Sequence, residues 1–124
     1  MNKQAGFTLI ELVAVLVILA LLGAMAVPRF VDMQTEALTA AKNGTKNAVK
    51  SAHALYIAEN KSLPSVTNLA AYVTADGGTS AVNTGVQVPI DGSNYVVETF
   101  TDTTCTTATG APGDTVRCVG DITP

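Results

Sequence analysis

Few side chains in this sequence are of the types that catalyse reactions or hold metals. His53 is the only histidine; no catalytic triad can be assembled around it, and its place on the polar side of a helix predicts a solvated residue. The sequence contains no Walker loop or dinucleotide fingerprint. Five aspartates are scattered among predicted loops without the alternating spacing of a calcium-binding loop: Asp76, Asp91, Asp102, Asp114 and Asp121. The sequence therefore predicts a protein that is not an enzyme, with no catalytic residue, metal site or cofactor.

One acid stands out because of its surroundings. Glu11 lies inside an apolar run that starts at Phe7 and contains no other charged residue through Val27. Ionisable side chains in such runs are costly and usually have a specific partner. A carboxylate there requires a cation, and the run contains no Lys or Arg. We predict that Glu11 takes part in subunit assembly, the alternative being a hydrated carboxylate at the membrane surface.

The two cysteines form the third group with possible chemistry. Cys105 and Cys118 enclose 14 residues, counting both ends, and a disulfide closing such a loop contributes about 3 kcal/mol in the chain-entropy treatment. We predict this disulfide and hence an oxidising compartment. The alternative is a pair of free thiols in a cytosolic protein. No C-x-x-C or Cys/His spacing favours zinc.

Length and composition limit the possible classes of protein. The chain has 124 residues, of which 48% are hydrophobic and 14% charged, with a formal net charge of −3. One small domain plus a membrane segment fits this length, and a large two-domain enzyme does not. The charge lacks the basic excess that binding to a phosphate backbone needs, so no nucleic-acid site is predicted.

The apolar run has the length of a membrane span. Phe7 through Val27 covers 21 positions, about the number that an α-helix needs to cross a hydrocarbon core of roughly 30 Å. We predict a transmembrane part over residues 7–28. Lys3 is the only charged side chain before it, which favours a cytoplasmic N-terminus.

A secretory signal is the competing interpretation of this run. Ala24-Met25-Ala26 has the small-x-small form of a signal-peptidase site. Glu11 inside the run and Pro28 just beyond the site argue against cleavage there.

Beyond Pro28 an amphipathic helical pattern continues, so that the N-terminal helix is predicted over residues 7–59. Mostly small apolar residues recur three or four positions apart, as on one helix face: Phe30, Met33, Ala37, Ala41, Gly44, Ala48, Ala52 and Leu55. This small-residue stripe predicts the face that packs against other surfaces. Pro28 and the weak point at Gly23 predict a helix kink that lets the segment unwind locally. The alternative is a simple boundary between the membrane helix and a soluble helix.

Three lysines fall on the side of the helix opposite the small-residue stripe: Lys42, Lys46 and Lys50. Residues 60–124 contain two basic and six acidic side chains, a net charge of −4. The basic side is therefore predicted to meet the acidic head of a neighbouring subunit, or else to be solvated.

Residues 60–124 are predicted to form a small β-rich head. Extended segments are predicted at 86–90, 95–100 and 115–119, with a turn over residues 91–94 between the first two. Pro89 argues for an edge position, and the Thr-rich segment 101–109 reads as a solvated loop. The predicted fold class is α+β, a long N-terminal helix packed on a small antiparallel sheet with a C-terminal disulfide loop.

Residues 6–11 read Gly-Phe-Thr-Leu-Ile-Glu. Gly6 is the last residue of a short N-terminal segment with one lysine, and the apolar helix begins at the residues that follow it. This arrangement resembles the processing site of type IV prepilins and related pseudopilins. The resemblance implies a leader of residues 1–6, cleavage between Gly6 and Phe7 by a membrane aspartyl peptidase, and N-methylation of Phe7. It extends through Pro28, and the run over 28–34 looks most like the mannose-sensitive haemagglutinin pilin subgroup.

The resemblance also implies the partners and the location of the protein. The ammonium created at Phe7, in the same or a neighbouring subunit, supplies the cation that Glu11 requires. The implied function is that of a structural subunit that polymerises through its N-terminal helix into a cell-surface filament for adhesion, attachment or motility. Implied partners are other pilin subunits, the prepilin peptidase, an inner-membrane assembly platform with a separate ATPase, and membrane lipid before assembly. The precursor is expected in the bacterial inner membrane and the product in an extracellular pilus.

Two alternatives remain at this stage. A pseudopilin of a type II secretion system would share the first half of the chain and form a short periplasmic fibre. A membrane-tethered binding domain would use the helix only as an anchor and would leave Glu11 unexplained.

Overall fold

The computed structural model describes residues 6–73 and 78–124. Within these residues two helices are followed by a four-stranded sheet: α1 (Leu9–Asn60), α2 (Val66–Tyr72), β1 (Ser80–Val82), β2 (Gly85–Ile90), β3 (Ser93–Phe100) and β4 (Cys118–Thr123). All three strand pairs are antiparallel, in the order β1-β2-β3-β4. The predicted α+β fold is therefore confirmed.

The chain divides into two compact units, one ending at Ala37 and one running from Leu38 to Pro124. We call the second the head unit, because it contains α2 and the whole sheet together with the C-terminal part of α1. α1 ends at Asn60, next to the predicted end at residue 59. Lys61 follows with φ 52°, the left-handed conformation that often terminates helices.

The predicted hairpin is present as β2 and β3. Its loop is only two residues long, Asp91 and Gly92, with φ of 51° and 76°, which matches the twist of the flanking strands. Ser93 already belongs to β3, so the predicted four-residue turn was too long. Pro89 lies in an inner strand, but β1 pairs only with residues 85–87. Among the described strands, only β3 therefore pairs with β2 at Pro89.

Other parts of the head differ from the sequence prediction. The last of the three predicted strands, placed at 115–119, is β4 and lies at Cys118–Thr123. The segment before Cys118 is not part of the sheet because it bonds elsewhere: Val116 N–H donates to the Pro64 carbonyl at 2.8 Å. α2 was not predicted. Ser65 caps it by accepting a hydrogen bond from Asn68 N–H at 3.2 Å, the usual role of serine at a helix start.

The core of the head unit lies between α1, α2 and one face of the sheet. Its buried hydrophobic residues are Val49, Ala52, Val66, Leu69, Ala70, Val73, Val86, Val88, Val97, Val116 and Val119. Eight of the eleven are valines, and four of these valines lie in the strands β2, β3 and β4. The core contains residues of α1, so the head unit needs that part of the helix.

The head unit covers a face of α1 other than the small-residue stripe. Within residues 38–60 the covered positions are Leu38, Lys42, Thr45, Lys46, Val49, Ala52, His53, Tyr56 and Ile57. Of the small-residue stripe in this segment only Ala52 is buried, whereas Ala41, Gly44, Ala48 and Leu55 are exposed. The head packs on the larger side chains because they bury more apolar area than alanine and glycine do. The stripe is left free of the head.

Gly85 allows β2 to approach β3 closely. A Cβ atom at Gly85 would lie 2.0 Å from the Val97 carbonyl oxygen, and a backbone atom cannot give way easily. We expect Gly85→Ala to lower the free energy of unfolding of the head by roughly 1–3 kcal/mol, the usual range for overpacking. Urea unfolding of the full chain in detergent, followed by near-UV circular dichroism, measures this. Gly113→Ala, where an added Cβ meets nothing within 4 Å, is the matched control and should leave the midpoint unchanged.

Candidate functional site

The first turn of α1 is held by a reciprocal pair of side-chain contacts. Thr8 precedes the helix, and its N–H and its hydroxyl both donate to Glu11 Oε2 at 2.8 Å. In return the Glu11 N–H donates to Thr8 Oγ1 at 3.4 Å. This is a capping box, in which a threonine and a glutamate three residues later satisfy backbone donors that the helix leaves unpaired.

The capping box gives Glu11 a partner that the sequence analysis missed. The signal was available, since threonine followed three residues later by glutamate before an apolar run marks a helix N-terminus. The contact is local and supplies no positive charge. Among the residues from 6 to 73 and 78 to 124, the structure gives Glu11 no ion pair. The predicted contact with a Phe7 ammonium requires cleavage and a neighbour, so it stays a prediction.

Gly6 and Phe7 lie outside α1, in exposed non-helical backbone. The Phe7 side chain is 90% exposed, and an added Cβ at Gly6 would meet nothing within 4 Å. A peptide bond between them can therefore be reached without unwinding the helix. Residues 1–5 of the predicted leader lie outside the described residues.

The segment after the cap has the character of a membrane span. By length and apolar composition α1 can cross a membrane, and the bulky side chains from Leu9 to Leu22 are exposed. Helical structure is continuous through Gly23 and Pro28. The predicted kink and local unwinding at these two residues stay predictions.

Two of the three lysines predicted to meet a neighbour contact their own head. Lys46 Nζ lies 2.9 Å from Asp121 Oδ1, and Lys42 Nζ lies 4.2 Å from the centroid of the Tyr95 ring, within cation–π range. The hydrogen bond from Lys46 holds the pKa of Asp121 below its ordinary value. The side chains of Lys42 and Lys46 border the covered face of α1, and the contact of the lysines with a neighbouring subunit stays a prediction. Lys50 remains exposed.

The predicted disulfide joins Cys105 to Cys118, with Cα atoms 5.5 Å apart. The loop it closes is bonded to each neighbouring element. His53 Nε2 of α1 lies 3.0 Å from the Val116 carbonyl oxygen, and Thr67 N–H of α2 donates to the Pro112 carbonyl at 3.0 Å. His53 is half-buried, so the prediction that it is solvated was wrong.

Most of the Thr-rich segment is exposed, as predicted for a solvated loop, and hydrogen bonds order it. Thr99 and Thr109 are buried, and their hydroxyls lie 2.8 Å apart. The Asp102 carboxylate accepts hydrogen bonds from the Thr104 and Thr106 hydroxyls and from the N–H groups of Thr106 and Thr107. These bonds, led by the one from Thr104, hold the pKa of Asp102 far below its ordinary value of 3.8.

The depressed pKa of Asp102 predicts a pH dependence of head stability. A carboxyl that is more acidic when folded binds fewer protons in the folded state, so it stabilises the fold above its unfolded pKa, and this stabilisation is lost as pH falls through the folded pKa. We expect Asp102→Asn to remove part of the stability at pH 7 and to flatten its decline below pH 4. Thermal unfolding between pH 2 and 7 measures this. Asp91→Asn, in the exposed hairpin turn, should retain the wild-type profile.

Metal-binding groups are not clustered in the part of the chain that the structure describes, where no three His, Cys, Asp or Glu residues converge. Asp102 and Asp114 each accept hydrogen bonds from their own loops, Asp114 from Gly110 N–H at 2.8 Å and Ala111 N–H at 3.0 Å. Asp76 lies outside the described residues.

Comparison with known proteins points to the N-terminal segment as well. Residues 1–27 match the family described as the prokaryotic N-terminal methylation motif. The chain is 39% identical over 82 residues to the type IV narrow pilus major component PilA5 of Thermus thermophilus, an alignment covering 66% of this chain and 69% of that protein. It is 36% identical over 64 residues to the type II secretion system core protein G of Pseudomonas aeruginosa, covering 52% of this chain and 45% of that protein.

No solved structure matches the chain. Neither relative is described as a mannose-sensitive haemagglutinin pilin, so that subgroup stays a prediction.

Proposed function

The chain belongs to the type IV pilin family, and from this premise we propose that it is a structural subunit that polymerises through α1 into a cell-surface filament. The proposal rests on the structure of the N-terminal segment. The Gly6–Phe7 junction is followed by an exposed apolar helix, in which Glu11 is the one charged residue before Arg29. Lipid covers such a surface in the precursor, and other subunits cover it in a filament. Assembly is then a transfer between two apolar surroundings.

Processing is the first step of the proposed function. The prepilin peptidase removes residues 1–6, and the Phe7 amine becomes methylated. An inner-membrane platform with its own ATPase then supplies the work of extraction from the membrane, since the sequence contains no nucleotide-binding motif. The subunit itself contributes structure and no catalysis.

The mature N-terminus tests this function directly. Intact-mass analysis of filaments sheared from cells should give a chain that starts at N-methylated Phe7 and retains the disulfide. A chain that retains Met1, or one that starts at Val27 after signal-peptidase cleavage, would rule out the pilin assignment. Gly6→Leu should leave an unprocessed membrane-bound precursor.

A second candidate is the pseudopilin of a type II secretion system, favoured by the likeness to core protein G. The disulfide loop and the wider match to the pilus component support the pilin function. Electron microscopy decides between them, because a pilin forms long external fibres at natural expression levels and a pseudopilin does not.

A membrane-tethered binding domain would keep its activity without the anchor. A truncated chain tests this alternative, because a chain that starts at Arg29 retains the whole head unit from Leu38 onward. Full activity of that truncated chain would favour a tethered domain. We expect it to form no filaments and to have none of the activities of the filament.

A further inference from the structure

A neutral groove opens between α1 and the end of α2 within the head unit. It has a volume of about 480 Å³ and is lined by Ala48, Ser51, Ala52, Leu55, Tyr72 and Val73. Among the described residues no charged side chain lines it, and Ala48, Ala52 and Leu55 of the small-residue stripe form part of its lining. Small side chains let another surface approach the helix backbone closely, so the groove suits a bulky apolar side chain.

Bulky apolar side chains of this kind are exposed just beyond the predicted membrane part of α1. Phe30 is 65% exposed and Met33 64% exposed, and Val31 lies between them. We call residues 30–33 the apolar patch. These side chains are exposed within their own unit and follow the predicted membrane part, so in a filament they need a protein surface to cover them.

Charges flank the groove and the patch with opposite signs. Glu59 lies at the rim of the groove, because its Oε2 accepts a hydrogen bond from the groove-lining Tyr72 hydroxyl at 2.9 Å. Arg29 directly precedes the apolar patch. In the described ranges the ion pair between Lys46 and Asp121 is the only one, so Glu59 and Arg29 both lack a charged partner there.

We propose that the groove receives the apolar patch of a second copy of this chain, with Arg29 of that copy pairing with Glu59 at the rim. The contact joins two different surfaces of identical subunits, and contacts of that kind propagate into open fibres rather than closed dimers. A second copy is the favoured occupant because it supplies both the bulky apolar side chains and the matching charge. This inference rests on the proposed filament function and specifies one of its contacts.

Charge reversal in full-length chains expressed in the native host tests the ion pair. We expect Arg29→Glu and Glu59→Arg each to lower the yield of sheared filaments about tenfold, the factor that ~1.4 kcal/mol per contact produces. The chain with both changes should recover most of the yield, because the pair is restored with reversed signs. Arg117→Glu, at an exposed arginine of the disulfide loop, is the matched control and should assemble like wild type.

Cysteine cross-linking tests the groove independently of charge. Cells should express a mixture of Phe30→Cys subunits and Ala48→Cys subunits; the native cysteines are paired and do not interfere. A short bifunctional maleimide should join the two kinds of subunit in intact filaments and give a covalent dimer. Replacing the second partner by Ala54→Cys, exposed on α1 but not lining the groove, should abolish the dimer.

The outcomes separate this inference from the proposed function. The ion pair would be overturned if the wild-type chain forms filaments and each single charge reversal assembles normally. It would also be overturned if the double reversal assembles no better than the single reversals. Absence of the Phe30–Ala48 dimer in intact filaments would overturn the groove contact. Failure of the wild-type chain to form any filament would instead overturn the proposed function.

Discussion

Replacing Glu11 by alanine should give a correctly cleaved, membrane-resident subunit with an intact head and few or no filaments. In the assembled fibre the carboxylate is expected to meet the Phe7 ammonium of an adjacent subunit in apolar surroundings. Removing one partner of a buried charge pair typically costs about 3 to 5 kcal/mol, because the other charge stays buried and unpaired. The core of the head contains residues from Val49 onward only, so folding of the head should be unaffected. Sheared-filament yield and the mass of membrane-bound subunits measure both effects.

Thr8→Val is the control that separates assembly from helix capping. The valine removes the hydroxyl that Glu11 uses in the capping box but keeps the charge, at a cost of about 0.5 to 2 kcal/mol for the lost cap. If Glu11 only caps α1, the two variants should lose filaments to the same extent. We expect Glu11→Ala to be much the more severe.

Co-expression with the wild-type chain sharpens this result. Subunits that lack Glu11 should incorporate poorly, since each brings an unpaired ammonium into the fibre. Equal incorporation of Glu11→Ala and wild-type subunits would contradict the electrostatic mechanism.

Loss of the disulfide should have the largest effect on the head itself. We expect Cys118→Ser to lower its free energy of unfolding by about 2 to 5 kcal/mol, the usual loss for a native disulfide in a small secreted domain. The effect should be large because the loop also bonds to His53 of α1, to Thr67 of α2 and to Thr99 of β3. Urea unfolding of the full chain in detergent measures the change.

Two controls accompany the disulfide variant. Reducing the wild-type chain with dithiothreitol should reproduce the loss without any substitution. Thr103→Ser, at an exposed position next to Asp102, should leave stability unchanged. A Cys118→Ser head as stable as wild type would show that hydrogen bonds alone hold the loop.

Patterns that depend on neighbouring residues were predictable from the sequence. The apolar run, the β2–β3 hairpin and the disulfide were all inferred correctly, because length, turn residues and cysteine number constrain them locally. Contacts between distant residues were not predictable in the same way. Lys46 and Asp121 are 75 positions apart, and nothing in either local sequence indicates that they meet.

The small-residue stripe of α1 shows a second reason why contacts are hard to predict from sequence. Helical periodicity identified an apolar stripe, but it does not indicate which surface packs against that stripe. The head covers the face that contains Val49, and the stripe stays exposed apart from Ala52. α2 was missed because seven residues are too few for a clear helical period, although Ser65 marks its start.

The division of α1 between two faces has a consequence for how this protein tolerates change. A substitution at Val49 alters the interior of every subunit, whereas one at the exposed Ala48 leaves the isolated subunit intact and, in the proposed contact, acts only where copies meet. Substitutions on the exposed face can therefore accumulate without loss of subunit stability. The resulting subunits would no longer assemble with subunits of the original sequence.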